Sequence, residues 1–141
     1  MSIKTFRLNI ITPKGLKVDE EVDLVVLRSI YGDMGIMANH AFFSVALNYS
    51  ILRFINNGIE QRIAVYGGIA TVKDNMLKVL TSGAEWPQEI DLAKAQSDRD
   101  HAERRLREKS DDLTIRNDQV LLRRALVQIE ISARSLADEE E

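Results

Sequence analysis

The sequence contains no cysteine, which excludes a disulfide framework, a thiolate metal site and a thiol nucleophile. No apolar run approaches the roughly 20 residues that a membrane-spanning helix needs, and the first residues lack the apolar core of a signal peptide. A net charge of −3 argues against a nucleic-acid-binding protein, which needs a basic excess to neutralise phosphates. We therefore expect a cytoplasmic protein that has no nucleic-acid partner and reaches a membrane only through another protein.

Glycine and proline are missing from the last third of the chain. All 7 glycines precede residue 84, whereas residues 91–141 contain neither glycine nor proline. Such a break in the distribution of turn-forming residues usually marks a change of structural class. With the boundary placed at Trp86 and Pro87, we predict a β domain over residues 1–86 and a helical hairpin over residues 87–141.

The first of these domains has short β-rich runs separated by turn residues. Residues 56–58 (Asn-Asn-Gly) are typical of a hairpin turn, and residues 73–75 (Lys-Asp-Asn) are a second turn candidate. Every second residue is apolar over residues 6–10 and 22–26, which predicts one buried and one wetted face. Several short strands at close spacing favour a sandwich or a flattened barrel. The predicted runs are residues 6–12, 22–28, 42–47, 51–55, 63–66 and 76–80.

The second domain is predicted to form two helices joined by a short turn. Asp91 is a good N-cap candidate for the first helix. Residues 110–112 (Ser-Asp-Asp) can break the chain and cap a second helix that starts near Leu113. A short connection between two helices implies an antiparallel pair.

Each predicted helix carries one narrow apolar stripe, and in the second helix its members recur at spacings of 4, 3, 4 and 3, typical of a seam between packed helices. A hairpin of roughly 47 residues with one such seam is too small to be secure alone. We expect it to need a docking partner, and to act as a switch if two partners are close in free energy. The predicted seam residues are Leu92, Ala95, Arg99, Ala102 and Leu106 in the first helix and Leu122, Leu126, Ile129, Ala133 and Leu136 in the second.

None of the strong catalytic motifs is present: there is no GxSxG, no GxxxxGK[ST], no HExxH and no GxGxxG. His40 and His101 fall in different halves of the chain. His40 near Asp33 could form an acid–base pair, but a turn histidine in an acidic neighbourhood is more often structural or a contact residue. We predict that the chain is not an enzyme and holds no metal.

Two features leave alternatives open at this point. The basic residues of the helices form either a solvated face balanced by Asp98, Asp100, Glu103 and Asp118, or a docking surface for an acidic protein segment or for nucleotide phosphates. Residues 31–43 (YGDMGIMANHAFF) form either a long connection whose methionines fill the core or a loop that faces a partner. The basic residues are Arg104, Arg105, Arg107, Arg116, Arg123 and Arg124.

Five segments in order resemble landmarks of one protein family, the epsilon subunit of bacterial F-type ATP synthases. They are TPKG at residues 12–15, GDMGIMANH at 32–40, YGGIA at 66–70, IDLAKA at 90–95 and AERRL at 102–106. The resemblance covers nearly the whole chain. It implies a ten-stranded β-sandwich followed by two antiparallel helices. It also implies a non-catalytic subunit of the central stalk, peripheral on the cytoplasmic face of the bacterial cell membrane.

The resemblance also implies partners and contact residues. The sandwich would grip the gamma subunit and rest on the c-ring, so that ion-driven rotation is coupled to ATP synthesis. By motif, Tyr31 and Asp33 would face the c-ring, and Met37 and His40 would contact gamma. The helices would inhibit ATP hydrolysis by extending into the alpha/beta catalytic hexamer. In that extended state, the contacts with the hexamer would come from Arg116, Arg123 and Arg124.

Some members of this family bind ATP through a signature that this chain matches only in part. Glu85, Asp91 and Arg124 stand at expected positions, but Lys94 replaces an arginine. His101 and Gln128 also stand where arginines are found. Lysine loses the bidentate fork that arginine offers to phosphate, so we predict weak or absent ATP binding and no other cofactor. An ATP sensor and a nucleic-acid module remain the alternative functions.

Overall fold

The computed structural model describes residues 4–108 and 111–140 and contains two compact units, Met1–Glu85 and Trp86–Glu141. The first unit is a mixed β-sandwich in which the strands pair in the order β2-β1-β7-β6-β5-β3-β4, with β8 beside β6. Strands β1 and β7 are parallel, and the other pairs are antiparallel. The strands are β1 Phe6–Thr12, β2 Gly15–Val22, β3 Leu24–Ser29, β4 Gly32–Met37, β5 Phe43–Asn56, β6 Ile59–Lys73, β7 Met76–Leu80 and β8 Ala84–Glu85.

The two long strands β5 and β6 contribute to both layers of the sandwich. Their ladder keeps one register from Phe43 opposite Val72 to Asn56 opposite Ile59, with a gap only at residues 48 and 67. The first part of β5 and the last part of β6 lie beside β7, β1 and β2. The remaining parts lie beside β3, β4 and β8. The predicted sandwich is confirmed, with eight described strands instead of ten because these two strands each serve two layers.

The alternation of apolar and polar residues predicts the buried positions correctly in β1 but not at the start of β3. Phe6, Leu8 and Ile10 are buried, as predicted. In β3 the buried residues are Val25 and Leu27, whereas Leu24 and Val26 are only half-buried. The prediction of one alternating face over residues 22–26 is wrong. The chain bends at residue 23 between two strands, so even-numbered residues face the core before the bend and odd-numbered residues face it afterwards.

The predicted turns are present in the first unit. Asn57 and Gly58 connect β5 to β6, and Asp74 and Asn75 connect β6 to β7. All four residues have positive φ, as tight hairpin connections require. Asn75 also ties two connections together, since its Oδ1 accepts a hydrogen bond from the Asn39 amide at 2.8 Å.

The second unit is a helical hairpin preceded by a short 3-10 turn, Pro87–Glu89. Helix α1 covers Leu92–Arg107 and helix α2 covers Asp112–Glu140. The predicted caps are present: Asp91 accepts from the Lys94 amide at 3.1 Å, and Asp111 accepts from the Thr114 amide at 2.8 Å. Ser110, the first residue of the predicted break, lies outside the described residues.

The α1 side of the predicted seam is confirmed, because Ala95 and Ala102 are buried and Leu92, Arg99 and Leu106 are half-buried. The α2 side is wrong in part. Of the predicted residues, Leu126 and Leu136 are 47% and 53% exposed and Ala133 is also exposed, while Leu122 and Ile129 are half-buried. A neighbouring stripe of α2 is buried instead and repeats every seven residues. It consists of Asp118, Ala125 and Ser132, and Val127 and Ile131 are buried as well.

Candidate functional site

The tip of the β3–β4 hairpin projects apolar side chains into solvent. Ser29 pairs with Gly32, which leaves a two-residue loop of Ile30 and Tyr31. The Ser29 hydroxyl donates to the Gly32 carbonyl at 2.9 Å and accepts from the Tyr31 amide at 3.0 Å. Tyr31 is 86% exposed and Ile30 is also exposed. A rigid turn therefore presents an aromatic ring at one end of the sandwich, where sequence motifs placed a contact residue.

Asp33 lies beside this tip and forms a cross-strand ion pair. Its Oδ1 accepts from Nε of Arg28 at 2.9 Å, and both side chains are more than half exposed. A solvent-exposed pair of this kind contributes little to stability. The Asp33 carboxylate therefore remains accessible to a partner while Arg28 fixes its position.

Met37 and His40 follow at the end of β4 and in the connection to β5. Met37 is exposed, so the interpretation that the methionines of this segment fill the core is wrong for this residue. His40 donates from Nδ1 to the Ala41 carbonyl at 2.8 Å and packs edge-on against Phe43, with ring centroids 5.2 Å apart. Asp33 and His40 thus have different partners, and they do not form the acid–base pair considered from the sequence.

A row of apolar side chains crosses the outer face of one sandwich layer, and sequence reasoning missed it. This apolar row consists of one residue from each of five adjacent strands, and each residue is paired with the next across the sheet. In order from β2 through β1, β7 and β6 to β5, they are Leu16, Ile11, Leu80, Ile69 and Ala46. Leu16, Leu80 and Ile69 are 56%, 50% and 49% exposed. The row reaches the hairpin tip, because the Ile30 amide donates to the Ala46 carbonyl at 3.1 Å.

The next row on the same face is polar. Two residues further along β5, β6, β7 and β1, the neighbours are Ser44, Thr71, Lys78 and Asn9. Asp19 continues this row on β2, three residues from Leu16 because the β1–β2 register shifts there. Thr71 and Ser44 share a hydrogen bond of 3.2 Å between their hydroxyl oxygens. The outer face therefore has a localised apolar band with a polar border, which is the composition of a protein–protein contact.

The basic residues of the helices are distributed over several faces. Arg116 and Arg123 are exposed and seven residues apart, so they lie on one face of α2. Arg124 is also exposed, but one residue further on, which places it on an adjacent face. On α1, the guanidinium of Arg104 approaches Nδ1 of His101 at 3.3 Å, and Arg105 pairs with Asp118.

Three residues of the partial ATP signature, Glu85, Asp91 and Lys94, have partners within their own units. Glu85 lies in β8 and accepts from the Tyr66 hydroxyl at 2.5 Å. In the first turn of α1, the Asp91 carboxylate caps the helix and Lys94 pairs with Asp98 at 3.1 Å. Arg124 lies in the middle of α2.

Membrane-spanning helices and metal-binding clusters are both absent from residues 4–108 and 111–140. No helix there combines the length and the apolarity needed to cross a membrane. In the same described part of the chain, no three His, Cys, Asp or Glu side chains are grouped so as to hold a metal ion.

Family models match both units. Residues 5–87 match the beta-sandwich domain of the ATP synthase Delta/Epsilon chain, and residues 88–133 match its long alpha-helix domain. The chain is 35% identical to the ATP synthase epsilon chain of Syntrophomonas wolfei over 137 residues, covering 96% of this chain and 100% of that one. It is 33% identical to the epsilon chain of Desulfitobacterium hafniense over 125 residues, covering 89% and 94%.

Solved structures share the fold. One chain of the Euglena gracilis mitochondrial ATP synthase superimposes with a TM-score of 0.76 at 23% identity, covering 96% of this chain and 84% of that one. A chain of the Tetrahymena thermophila mitochondrial ATP synthase gives 0.62 at 9% identity, covering 94% and 99%. The chain therefore belongs to the ATP synthase epsilon-chain family, and it is an accessory subunit rather than an enzyme in its own right.

Proposed function

We propose that the chain is a central-stalk subunit of an F-type ATP synthase, which couples rotation of the c-ring to ATP synthesis through the gamma subunit. Membership in the epsilon-chain family supports this role. The two similar solved chains come from assemblies described as OSCP/F1/c-ring and as central stalk/c-ring. In this role the chain reaches the cytoplasmic face of the bacterial cell membrane only as part of the complex.

The apolar row is the observation that carries the proposal. Monomeric proteins rarely leave a contiguous apolar band uncovered, and such bands mark contact surfaces. The row lies on a sheet layer in which each strand pairs with its neighbours through backbone hydrogen bonds. Such a layer is rigid, so it can transmit torque without deforming. Its aliphatic side chains suit an apolar patch on a rotor subunit, and the polar border made by Lys78, Asn9 and Asp19 suits the rim of that contact.

The hairpin tip and the segment after it extend this surface toward two partners. Tyr31 and Asp33 would meet the polar loops of the c-ring, since one offers an exposed aromatic ring and the other an accessible carboxylate. Met37 and His40 would contact gamma. The flexible thioether of Met37 can adapt to a partner surface, whereas the imidazole of His40 is held in place by Phe43.

The helical hairpin would inhibit ATP hydrolysis by extending toward the alpha/beta hexamer. Its closed form buries mainly small side chains at the predicted α1 seam, which limits the hydrophobic stabilisation of that form. Arg116 and Arg123 would present one basic face to acidic segments of the hexamer, and Arg124 would contact the hexamer from an adjacent face.

The rotor contact is tested with two isoleucines of the same strand. Ile69→Asp places a charge in the apolar row, whereas Ile59→Asp places the same charge at another exposed isoleucine ten residues away in β6. Co-sedimentation with an epsilon-depleted synthase should lose at least about tenfold in affinity for Ile69→Asp, the loss that about 1.4 kcal/mol produces. Equal binding by the two variants would contradict the proposed surface.

Inhibition by the helices is tested by truncation. A chain that ends after Glu85 keeps β8 and removes the entire second unit. Added to the depleted synthase, it should restore ATP synthesis and raise the latent ATPase rate. Restored synthesis with an unchanged ATPase rate would leave the coupling role standing and refute the inhibitory one.

A further inference from the structure

A buried carboxylate lies in the interface between the two helices. Asp118 of α2 is only 4% exposed, and its Oδ2 lies 3.4 Å from Nε of Arg105 in α1. Within the described residues, Oδ2 has no hydrogen-bond donor, so the ion pair is its compensation for lost hydration. Removing a charge from water costs several kcal/mol, and an uncompensated carboxylate at this position would be strongly unfavourable.

The apolar contribution of α1 to the same interface is small. Asp118 faces α1 through Arg105, and Ala125 lies seven residues along on the same face of α2. The buried residues of α1 are Ala95 and Ala102. Alanine methyl groups bury little area, so they add little free energy to closure. Leu92 and Leu106 of α1 are half-buried, and the Arg105–Asp118 pair is a charged contact that joins α1 to α2. Removing one partner of a buried pair is costly, so this contact makes closure sensitive to either charge.

Three other ion pairs between described residues of this unit do not depend on closure. Lys94 with Asp98 and Arg99 with Asp100 join residues of α1. The Arg134–Glu130 pair joins residues of α2. All three would survive separation of the helices, whereas the Arg105–Asp118 pair joins α1 to α2 and would break.

We propose that the Arg105–Asp118 ion pair is a latch that holds the helical hairpin closed. Opening exposes Asp118 to water and frees Arg105, so the latch opens without leaving a buried charge behind. Neutralising one partner in the closed form does leave a buried charge or an unpaired polar group, which favours the open form. The effect of the latch on ATP hydrolysis rests on the proposed inhibitory function, but the latch itself does not.

The latch is tested in the full chain, and the absence of native cysteine allows clean labelling. Spin labels on cysteines at Gln96 and Gln119, both exposed and on different helices, report helix separation by pulsed dipolar spectroscopy. Asp118→Asn and Arg105→Gln should each raise the ratio of open to closed hairpin by about tenfold, equivalent to about 1.4 kcal/mol. The double variant should be no more open than the weaker single variant, because neither charge is then left alone.

Matched controls remove charges of the same type from neighbouring positions of α1 and leave both members of the latch in place. Asp100→Asn removes an exposed carboxylate paired within α1, and Arg104→Gln removes the neighbouring guanidinium. Hydrogen exchange in residues 4–85 serves as the internal check, since the sandwich amides should keep their protection in every variant. Distance distributions of the latch variants that match those of the controls would overturn the proposal.

The same unlabelled variants are then added to the epsilon-depleted synthase. If open hairpins inhibit, Asp118→Asn should lower the ATPase rate severalfold relative to Asp100→Asn. A changed distance distribution with an unchanged ATPase rate would uphold the latch and refute inhibition by extension. An unchanged distance distribution would refute the latch whatever the ATPase rate.

Discussion

Replacing Gly68 should destabilise the sandwich more than replacing any glycine at an open turn. Gly68 lies within β6 at a φ of 114°, a conformation that residues with a side chain rarely adopt. A Cβ at this position would lie 1.9 Å from the Leu80 carbonyl oxygen and 2.8 Å from Cα of Thr81. Both of these atoms belong to backbone, so no side-chain rotation relieves the overlap.

The magnitude follows from two separable costs. Holding alanine at such a φ costs of the order of 1–3 kcal/mol. Moving the β7 backbone away weakens the ladder opposite Leu80, which adds about one or two hydrogen bonds of roughly 1 kcal/mol each. We expect Gly68→Ala to lower the free energy of unfolding by about 3–5 kcal/mol, enough to unfold many domains of this size.

Gly58→Ala is the matched control, because it isolates the first cost. Gly58 has a φ of 78° in the β5–β6 turn, and a methyl group on its Cα would have no other heavy atom within 4 Å. The variant should lose only about 1 kcal/mol. Urea unfolding of the full chain, followed by far-UV circular dichroism, measures both. Equal losses in the two variants would show that the close approach to Leu80 costs nothing, and would refute the reasoning.

Three further outcomes are expected. Ser132→Ala should raise the thermal stability of the hairpin by about 1 kcal/mol, because the buried Oγ of Ser132 lacks a hydrogen-bond partner among the described residues; lower stability would contradict this. Hydrogen bonds from Thr114 lower the pKa of Asp111, so the cap stabilises α2 above the ordinary carboxyl pKa and is lost as pH falls through the lowered value. Acid should therefore reduce helical circular dichroism more in the native chain than in Asp111→Ala. Calorimetry should show ATP binding weaker than micromolar, strengthened by Lys94→Arg; micromolar binding by the native chain would refute the assignment.

Much of the sandwich could be predicted because local patterns and turn chemistry agree there. The Asn57-Gly58 pair sits in the β5–β6 connection where the sequence predicted a hairpin. The β4 strand was not predicted, because Met34 and Met37 flank Gly35 without the alternation of a half-buried strand, and only Ile36 is fully buried. A segment whose side chains mostly face water carries no periodic signal, so residues 31–43 appeared as a loop.

The apolar row could not be predicted from the sequence, since its members are single residues on five different strands. Ile11 and Leu80 both fell within predicted strands, but their adjacency depends on the parallel β1–β7 register. Ile69 and Leu80 become neighbours only through the β6–β7 register. The Asp74–Asn75 turn sets the β6–β7 register locally, but no turn joins the parallel strands β1 and β7, whose register depends on the joint burial of their inward side chains.

The helical seam was misplaced for a different reason. Residues 118, 125 and 132 repeat every seven positions, as do residues 122, 129 and 136, so periodicity alone admits two neighbouring stripes on α2. The leucine-rich stripe was the natural choice, and Asp118 was assigned to the solvated face. The structure buries the stripe that contains Asp118, whose carboxylate pairs with Arg105 of α1, and it leaves Leu126 and Leu136 about half exposed.

This choice bears on whether the hairpin can move. A seam built on Leu122, Leu126 and Ile129 would bury far more apolar area and close more firmly. Moving an element from about 1% to about 99% open requires a partner to favour the open form by about 5.5 kcal/mol, and every added kcal/mol of closed stability raises that requirement. In the closed form α1 contributes two buried alanines, two half-buried leucines and an ion pair, which keeps the requirement within reach of a protein interface. The half-exposed leucines remain available as contact surface once the helices separate.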